Sequence, residues 1–188
     1  ENGVIYGSIA LRGARLDDIS FHEYYKKLDK KEHVDLLSPK NSEFPRYIEY
    51  GWVPVDAKTK VPDGDTLWRA QGNDKLTKEN PVLLTWDNGQ GLRFERLYTI
   101  DDAYLITIDQ KVVNNSGAAV TLHPYGLVTQ TGHPPFYEGL WISHEGPIGF
   151  IGDKLMEVKY QKLWKEPTLE FTGAQGWAGI TDKYWLTA

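Results

Sequence analysis

Tyr104-Leu105-Ile106-Thr107-Ile108-Asp109-Gln110-Lys111-Val112 presents Tyr104, Ile106, Ile108 and Val112 to one side and Leu105, Thr107, Asp109 and Lys111 to the other. Apolar and polar residues repeating with a period of two are the mark of a half-buried antiparallel strand. Working outward, Asn114-Asn115-Ser116-Gly117 supplies residues that tolerate positive φ, and Val120 to Thr131 reads as the returning strand. Upstream, Asp87-Asn88-Gly89 separates Val82-Leu83-Leu84-Thr85-Trp86 from Leu92-Arg93-Phe94, the strongest hairpin signal in the chain. Arg46 to Val55 reads as a further strand, closed by Pro54 and the turn-rich run from Asp56 to Asp65.

Helix signals are few. Leu155, Met156, Tyr160 and Leu163 have roughly helical spacing, so one short helix is expected between Asp153 and Trp164. His22 to Glu32 holds good helix formers but stays undecided from its own residues. Many strands joined by short turns imply an all-β fold of packed antiparallel sheets with one or two short helices. No internal repeat or linker appears, and Pro134-Pro135 reads as a loop corner. At 188 residues a single domain over 1–188 is expected.

Composition excludes several kinds of chemistry. There is no cysteine, which removes disulfides, thiol catalysis and thiolate metal sites. The net charge of -5 and the scattered basic residues argue against nucleic acid, which wants a concentrated positive footprint. The cluster Lys26-Lys27-Leu28-Asp29-Lys30-Lys31 is interrupted by an acid and reads as a solvated loop. No window approaches the ~18–20 apolar residues of a membrane span. Seven tryptophans and eleven tyrosines favour broad sheets with aromatic faces.

The candidate acid–base groups are His123, His133 and His144 with Glu138 and Glu145. A histidine and a glutamate facing each other across a sugar ring could move a proton there, but packing or surface roles are the simpler reading. No metal-ligand spacing, nucleophile elbow or phosphate-binding loop is present, so no catalytic residue, metal or cofactor is assigned. The paired acids Asp17-Asp18 and Asp101-Asp102 are expected at turns and caps. For binding, Phe136, Tyr137 and Trp141, with Leu140, crowd a stretch flanked by glycine and proline. Aromatic loops on a β-sandwich can hold a sugar face or an extended peptide, and open sheet edges form a second contact surface.

The last residues, Gly176-Trp177-Ala178-Gly179-Ile180-Thr181-Asp182-Lys183-Tyr184-Trp185-Leu186-Thr187-Ala188, read as a buried aromatic strand in which the chain stops without a turn or polar tail. Trp177 and Trp185 are expected to be anchors in the core or against a missing helix. This stretch resembles the end of the large periplasmic domain of YidC-type membrane protein insertases. Gly7-Ser8-Ile9-Ala10-Leu11-Arg12-Gly13-Ala14-Arg15-Leu16-Asp17-Asp18-Ile19 resembles the family's opening strand pair, and Phe21 to Lys31 its variable charged loop. Val34-Asp35-Leu36-Leu37-Ser38-Pro39 resembles the close of that loop. Leu92-Arg93-Phe94-Glu95-Arg96 through Val112-Val113-Asn114-Asn115-Ser116-Gly117 resembles the family's long hairpin.

The resemblance implies an antiparallel β-supersandwich akin to galactose mutarotase, part of a Gram-negative inner-membrane protein and lying in the periplasm. It implies membrane-embedded helices directly after the domain, and contact with the membrane only through them. It further implies a non-catalytic accessory role in inserting and folding inner-membrane proteins. The implied partners are the Sec translocon, its accessory proteins and nascent inner-membrane proteins. The alternative from another class is a carbohydrate-binding or mutarotase-like domain.

Overall fold

The computed structural model describes residues 1–132 and 144–188. The described residues are all-β apart from one short helix, and their sheets are antiparallel. Its contacts divide it into two compact units, residues 1–40 with 47–127, and residues 41–46 with 128–188.

The first unit holds two sheets. One joins β1 (Ile5–Ala10), β2 (Arg15–Tyr25), β4 (Arg46–Pro54) and β9 (Leu122–Gln130) in that order, with β3 (His33–Leu37) also on β2. Arg46 at the start of β4 and Val128–Gln130 at the end of β9 belong to the second unit. The other sheet runs β5 (Arg69–Gln71), β6 (Val82–Asp87), β7 (Leu92–Ile100) and β8 (Ile106–Asn114). The β6–β7 turn forms where Asp87-Asn88-Gly89 predicts it. The Asn88 side-chain oxygen accepts from the backbone N–H groups of Gln90 and Leu92 at 2.7 and 3.0 Å, and its amide donates to Lys60 O.

The core lies between these two sheets. On β7 every second residue, Leu92, Phe94, Arg96, Tyr98 and Ile100, is buried, the period of two that half-buried strands require. Trp52 of β4 meets Phe94 edge-on at 5.0 Å between ring centroids. Tyr98 donates its hydroxyl to Ala14 O at 2.7 Å. Full burial of side chains such as Phe94 and Leu84 stabilises by about 1.5–3 kcal/mol each.

Arg96 sits in the middle of this apolar layer with 1% of its surface exposed. Among the described residues none of its hydrogen bonds goes to a carboxylate. Its guanidinium donates to the backbone oxygens of Gly13, Ala14 and Tyr50 and to the side-chain oxygen of Gln110. It also stacks near Trp68 and Trp52, at 4.7 and 5.4 Å from the ring centroids. Burial pulls its pKa below the usual arginine value, while Tyr98 opposes that shift. The planar fork spreads its donors over oxygens from several segments, wider than the compact ammonium of a lysine could span.

Asp17 and Asp18 lie inside β2 rather than at a turn. Ser8 pairs with Asp18 and the next residue, Ile9, pairs with Leu16, so Asp17 is the extra residue of a β-bulge. Burial raises the Asp17 pKa, with Arg15 partly opposing it, and Asp18 accepts from the Ser8 hydroxyl at 3.1 Å. Asp101 does take a turn role, accepting from the N–H groups of Ala103 and Leu105. His22 to Tyr25 continue β2, and the loop that follows is closed by Lys26 N–H on Glu32 O at 2.9 Å. Lys26 pairs with Asp35 at 2.6 Å, so this basic cluster is partly neutralised as well as solvated.

The second unit carries a sheet in the order β11 (Lys154–Glu157), β10 (Gly146–Ile151), β12 (Gly176–Thr181) and β13 (Leu186–Thr187), with α1 (Tyr160–Lys165). The helix expected between Asp153 and Trp164 is therefore only Tyr160–Lys165. Leu155 and Met156 belong to a strand, because Gly152 and Asp153 both adopt positive φ and close a two-residue hairpin. The chain end also differs from the expectation. Asp182 to Trp185 form a turn, with Asp182 N–H on Trp185 O and Trp185 N–H on the Asp182 carboxylate. Trp177 is not buried: 42% of its surface is exposed.

Candidate docking surface

A surface that receives an extended chain needs an open strand edge and, beside it, room for side chains. Among the described residues, β8 ends its sheet, with β7 on one side and no strand on the other. All nine of its residues pair with β7 in unbroken register, from Ile106↔Ile100 to Asn114↔Leu92. The outcome is a straight edge without a bulge. Thr107, Asp109 and Lys111 are exposed, whereas Ile106, Ile108 and Val112 are only half-buried beside their fully buried β7 partners. The inward face of β8 is thus incompletely covered within this unit.

A cleft of about 280 Å³ adjoins the same strand. Trp52, Leu92, Val112, Val120, Leu122 and Pro124 line it, so it suits an apolar side chain. Its polar residue, Asn114, is already engaged: its amide donates to Ala118 O, and its carbonyl oxygen accepts from the Ser116 N–H and hydroxyl. This internal network shapes the expected asparagine turn after β8 and occupies the amide of Asn114. Sequence reasoning placed the strand and its turn. Its position at a sheet edge depends on pairing partners distant in sequence.

The predicted acid–base groups do not assemble among the described residues. His123 is exposed on β9. The His144 ring lies 3.0 Å from Pro147 O, and no described histidine is hydrogen-bonded or ion-paired to a carboxylate. Glu145 is buried, and neither of its carboxylate oxygens has a hydrogen-bond partner. His133, Glu138 and the aromatic candidates Phe136, Tyr137 and Trp141, with Leu140, lie outside the described residues. No group of three or more metal-ligating side chains occurs among the described residues.

The second unit has a polar network that sequence reasoning missed. Arg46 pairs with Asp182 at 2.8 Å and donates through Nε and Nη2 to Gln130, which in turn donates to the Tyr160 hydroxyl at 3.0 Å. Burial raises the Tyr160 pKa, with the hydrogen bond from Gln130 partly opposing it. These four residues lie far apart in sequence, and none belongs to a recognisable motif. The network ties the chain between strands and leaves no reactive group poised.

The sequence model of one protein family, the YidC periplasmic domain, matches residues 1–188. The chain belongs to that family. The membrane protein insertase YidC of Nitrobacter hamburgensis is 43% identical over 185 residues, covering 97% of this chain and 30% of the relative. That of Methylorubrum extorquens is 44% identical over 195 residues, covering 98% and 31%. The Pelagibacter ubique protein of the same name is 38% identical over 188 residues, covering 100% and 33%. The chain therefore spans about a third of the length of these curated relatives. No described helix is long and apolar enough to cross a membrane.

Proposed function

We propose that this chain is the periplasmic accessory domain of a YidC-like inner-membrane insertase. It is non-catalytic and aids insertion and folding by docking extended segments, either of Sec-translocon accessory proteins or of emerging inner-membrane proteins. Family membership sets the context. The observation that carries the docking role is the unbroken nine-residue edge of β8 beside an apolar cleft. Main-chain hydrogen bonds to that edge give affinity, and a side chain entering the cleft gives selectivity.

The test uses the full-length protein in its membrane. Photo-crosslinking residues replace Thr107 and Asp109 on β8, with Lys78 as an exposed control outside any strand. Capture of translocon subunits or substrate chains at the two β8 positions and not at Lys78 is the expected result. Capture that favours Lys78, or none at β8 while other surfaces crosslink, refutes docking at this edge.

A further inference from the structure

The inward row of β8 is not uniformly apolar. It runs Ile106, Ile108, Gln110 and Val112, each opposite a buried β7 residue: Ile100, Tyr98, Arg96 and Phe94. Gln110 therefore interrupts the apolar row at the point where the buried guanidinium of Arg96 lies behind it. The Gln110 carbonyl oxygen accepts from Arg96 Nε at 3.2 Å, which fixes the orientation of the amide. Its Nε2 donates to no partner among the described residues, and it is not sealed from solvent.

The charge behind this amide is dispersed but not cancelled. Arg96 donates to the backbone oxygens of Gly13, Ala14 and Tyr50 and to Gln110, all of them neutral. On a strand added to β8, the residue directly opposite Gln110 has its Cβ only ~4.5–5.5 Å away, within reach of a side-chain hydrogen bond. The next inward positions, two residues to either side, meet Val112 and Ile108, both half-buried. Val112 borders the cleft of about 280 Å³ that Trp52, Leu92 and Leu122 also line. The edge thus offers an apolar place, a polar one with a cation behind it, and a second apolar place.

We infer that the segment recognised at β8 is an extended peptide with an acidic side chain opposite Gln110 and apolar side chains two positions to either side. The carboxylate accepts from Gln110 Nε2, a charge-assisted hydrogen bond, and offsets the charge of Arg96 through the intervening amide. One flanking side chain enters the cleft beside Val112, and the other covers Ile108. A leucine in the central place would leave the Gln110 donors without an acceptor, and a lysine there would add a second cation. The outward positions face Lys111 and Asp109, which are exposed, and carry little selectivity. A peptide is favoured over a lipid or a glycan because its main chain matches the alternating N–H and C=O groups of the open strand. This specificity rests on docking at β8, and it names the chemistry of what docks there.

The test uses purified full-length protein and fluorescent nine-residue peptides read by anisotropy. Each peptide carries a variable central residue, leucine two positions to either side and threonine elsewhere. Central glutamate should bind about ten-fold more tightly than central leucine, with glutamine between them and lysine weakest. Moving the glutamate by one position while the leucines stay puts it on the outward face, and the advantage should vanish. Gln110→Leu should abolish the preference for glutamate and bind the central-leucine peptide more tightly than the unsubstituted protein does, a gain that a misfolded variant cannot show. Equal affinity for all four central residues, with each peptide still crosslinking to a photoreactive residue at Thr107, overturns the inference and leaves docking intact. A preference for lysine overturns it likewise. If no peptide crosslinks at Thr107, docking itself fails and the inference falls with it.

Discussion

Replacing Arg96 with methionine tests whether a lone buried guanidinium organises the core of the first unit. Methionine keeps much of the stem volume and removes every donor. Ala14 O retains the Tyr98 hydroxyl, whereas Gly13 O and Tyr50 O lose the guanidinium. Each buried acceptor deprived of its donor costs ~1–3 kcal/mol. The lost stacking on Trp68 and Trp52 adds ~0.5–2 kcal/mol. Relief of the charge's desolvation offsets part of this, and the groups left behind are neutral rather than charged. The net loss expected is about 3 kcal/mol. With a urea slope of about 2 kcal/mol/M, the midpoint of purified residues 1–188 should fall by about 1.5 M with the slope unchanged. Arg96→Lys should recover less than half of that, because an ammonium cannot span the carbonyls that the fork reaches. A fall below about 0.5 M for Arg96→Met would refute the reasoning, since the carbonyls would then be satisfied without the guanidinium.

Two further outcomes follow from the same layer. Burial pushes the Tyr98 pKa up to about 12, so the folded molecule holds this proton more tightly than the unfolded chain does. Stability should be level below pH ~10 and fall between there and about 12, and Tyr98→Phe should flatten that fall while losing ~1 kcal/mol at neutral pH; urea midpoints across alkaline pH check both. Gly13 has a φ of +77°, and a Cβ there would lie 2.7 Å from Gly64 O, so Gly13→Ala should cost ~1–3 kcal/mol by urea unfolding.

What could be read from the chain depended on how local the signal was. Asp87-Asn88-Gly89 and Asn114-Asn115-Ser116-Gly117 carry their turn chemistry within a few residues; the structure places a hairpin at the first and a turn at the second, but the strand after that second turn, β9, joins the other sheet instead of returning on β8. Gly152-Asp153 is just as local. It was passed over because Leu155, Met156, Tyr160 and Leu163 match a helical period by chance, and a two-residue hairpin overrode them. Arg96 was missed for a different reason: a charged residue is ordinarily taken as outward-facing. The available signal was its register, since it occupies the inward position between Phe94 and Tyr98 on a strand whose alternate residues are otherwise apolar. The edge position of β8 left no local mark at all.

The reading of Gly176 to Ala188 as buried failed in an informative way. Trp177, Ile180 and Leu186 have the composition of a core strand, and β12 does pair with β10 along its whole length. Trp177 nevertheless stays exposed, and composition cannot reveal that, because burial is a property of the layer opposite. A sequence selected to be covered reads as buried whether or not its cover is present. The mismatch between an apolar pattern and a 42% exposed Trp177 therefore reports on the layer opposite rather than on this strand. The first unit shows the converse: Phe94 and Tyr98 have the same alternating pattern, their opposing layer is present, and both are fully buried. The same apolar pattern thus meets opposite burial in the two units, because the pattern belongs to the strand and burial belongs to the layer that faces it.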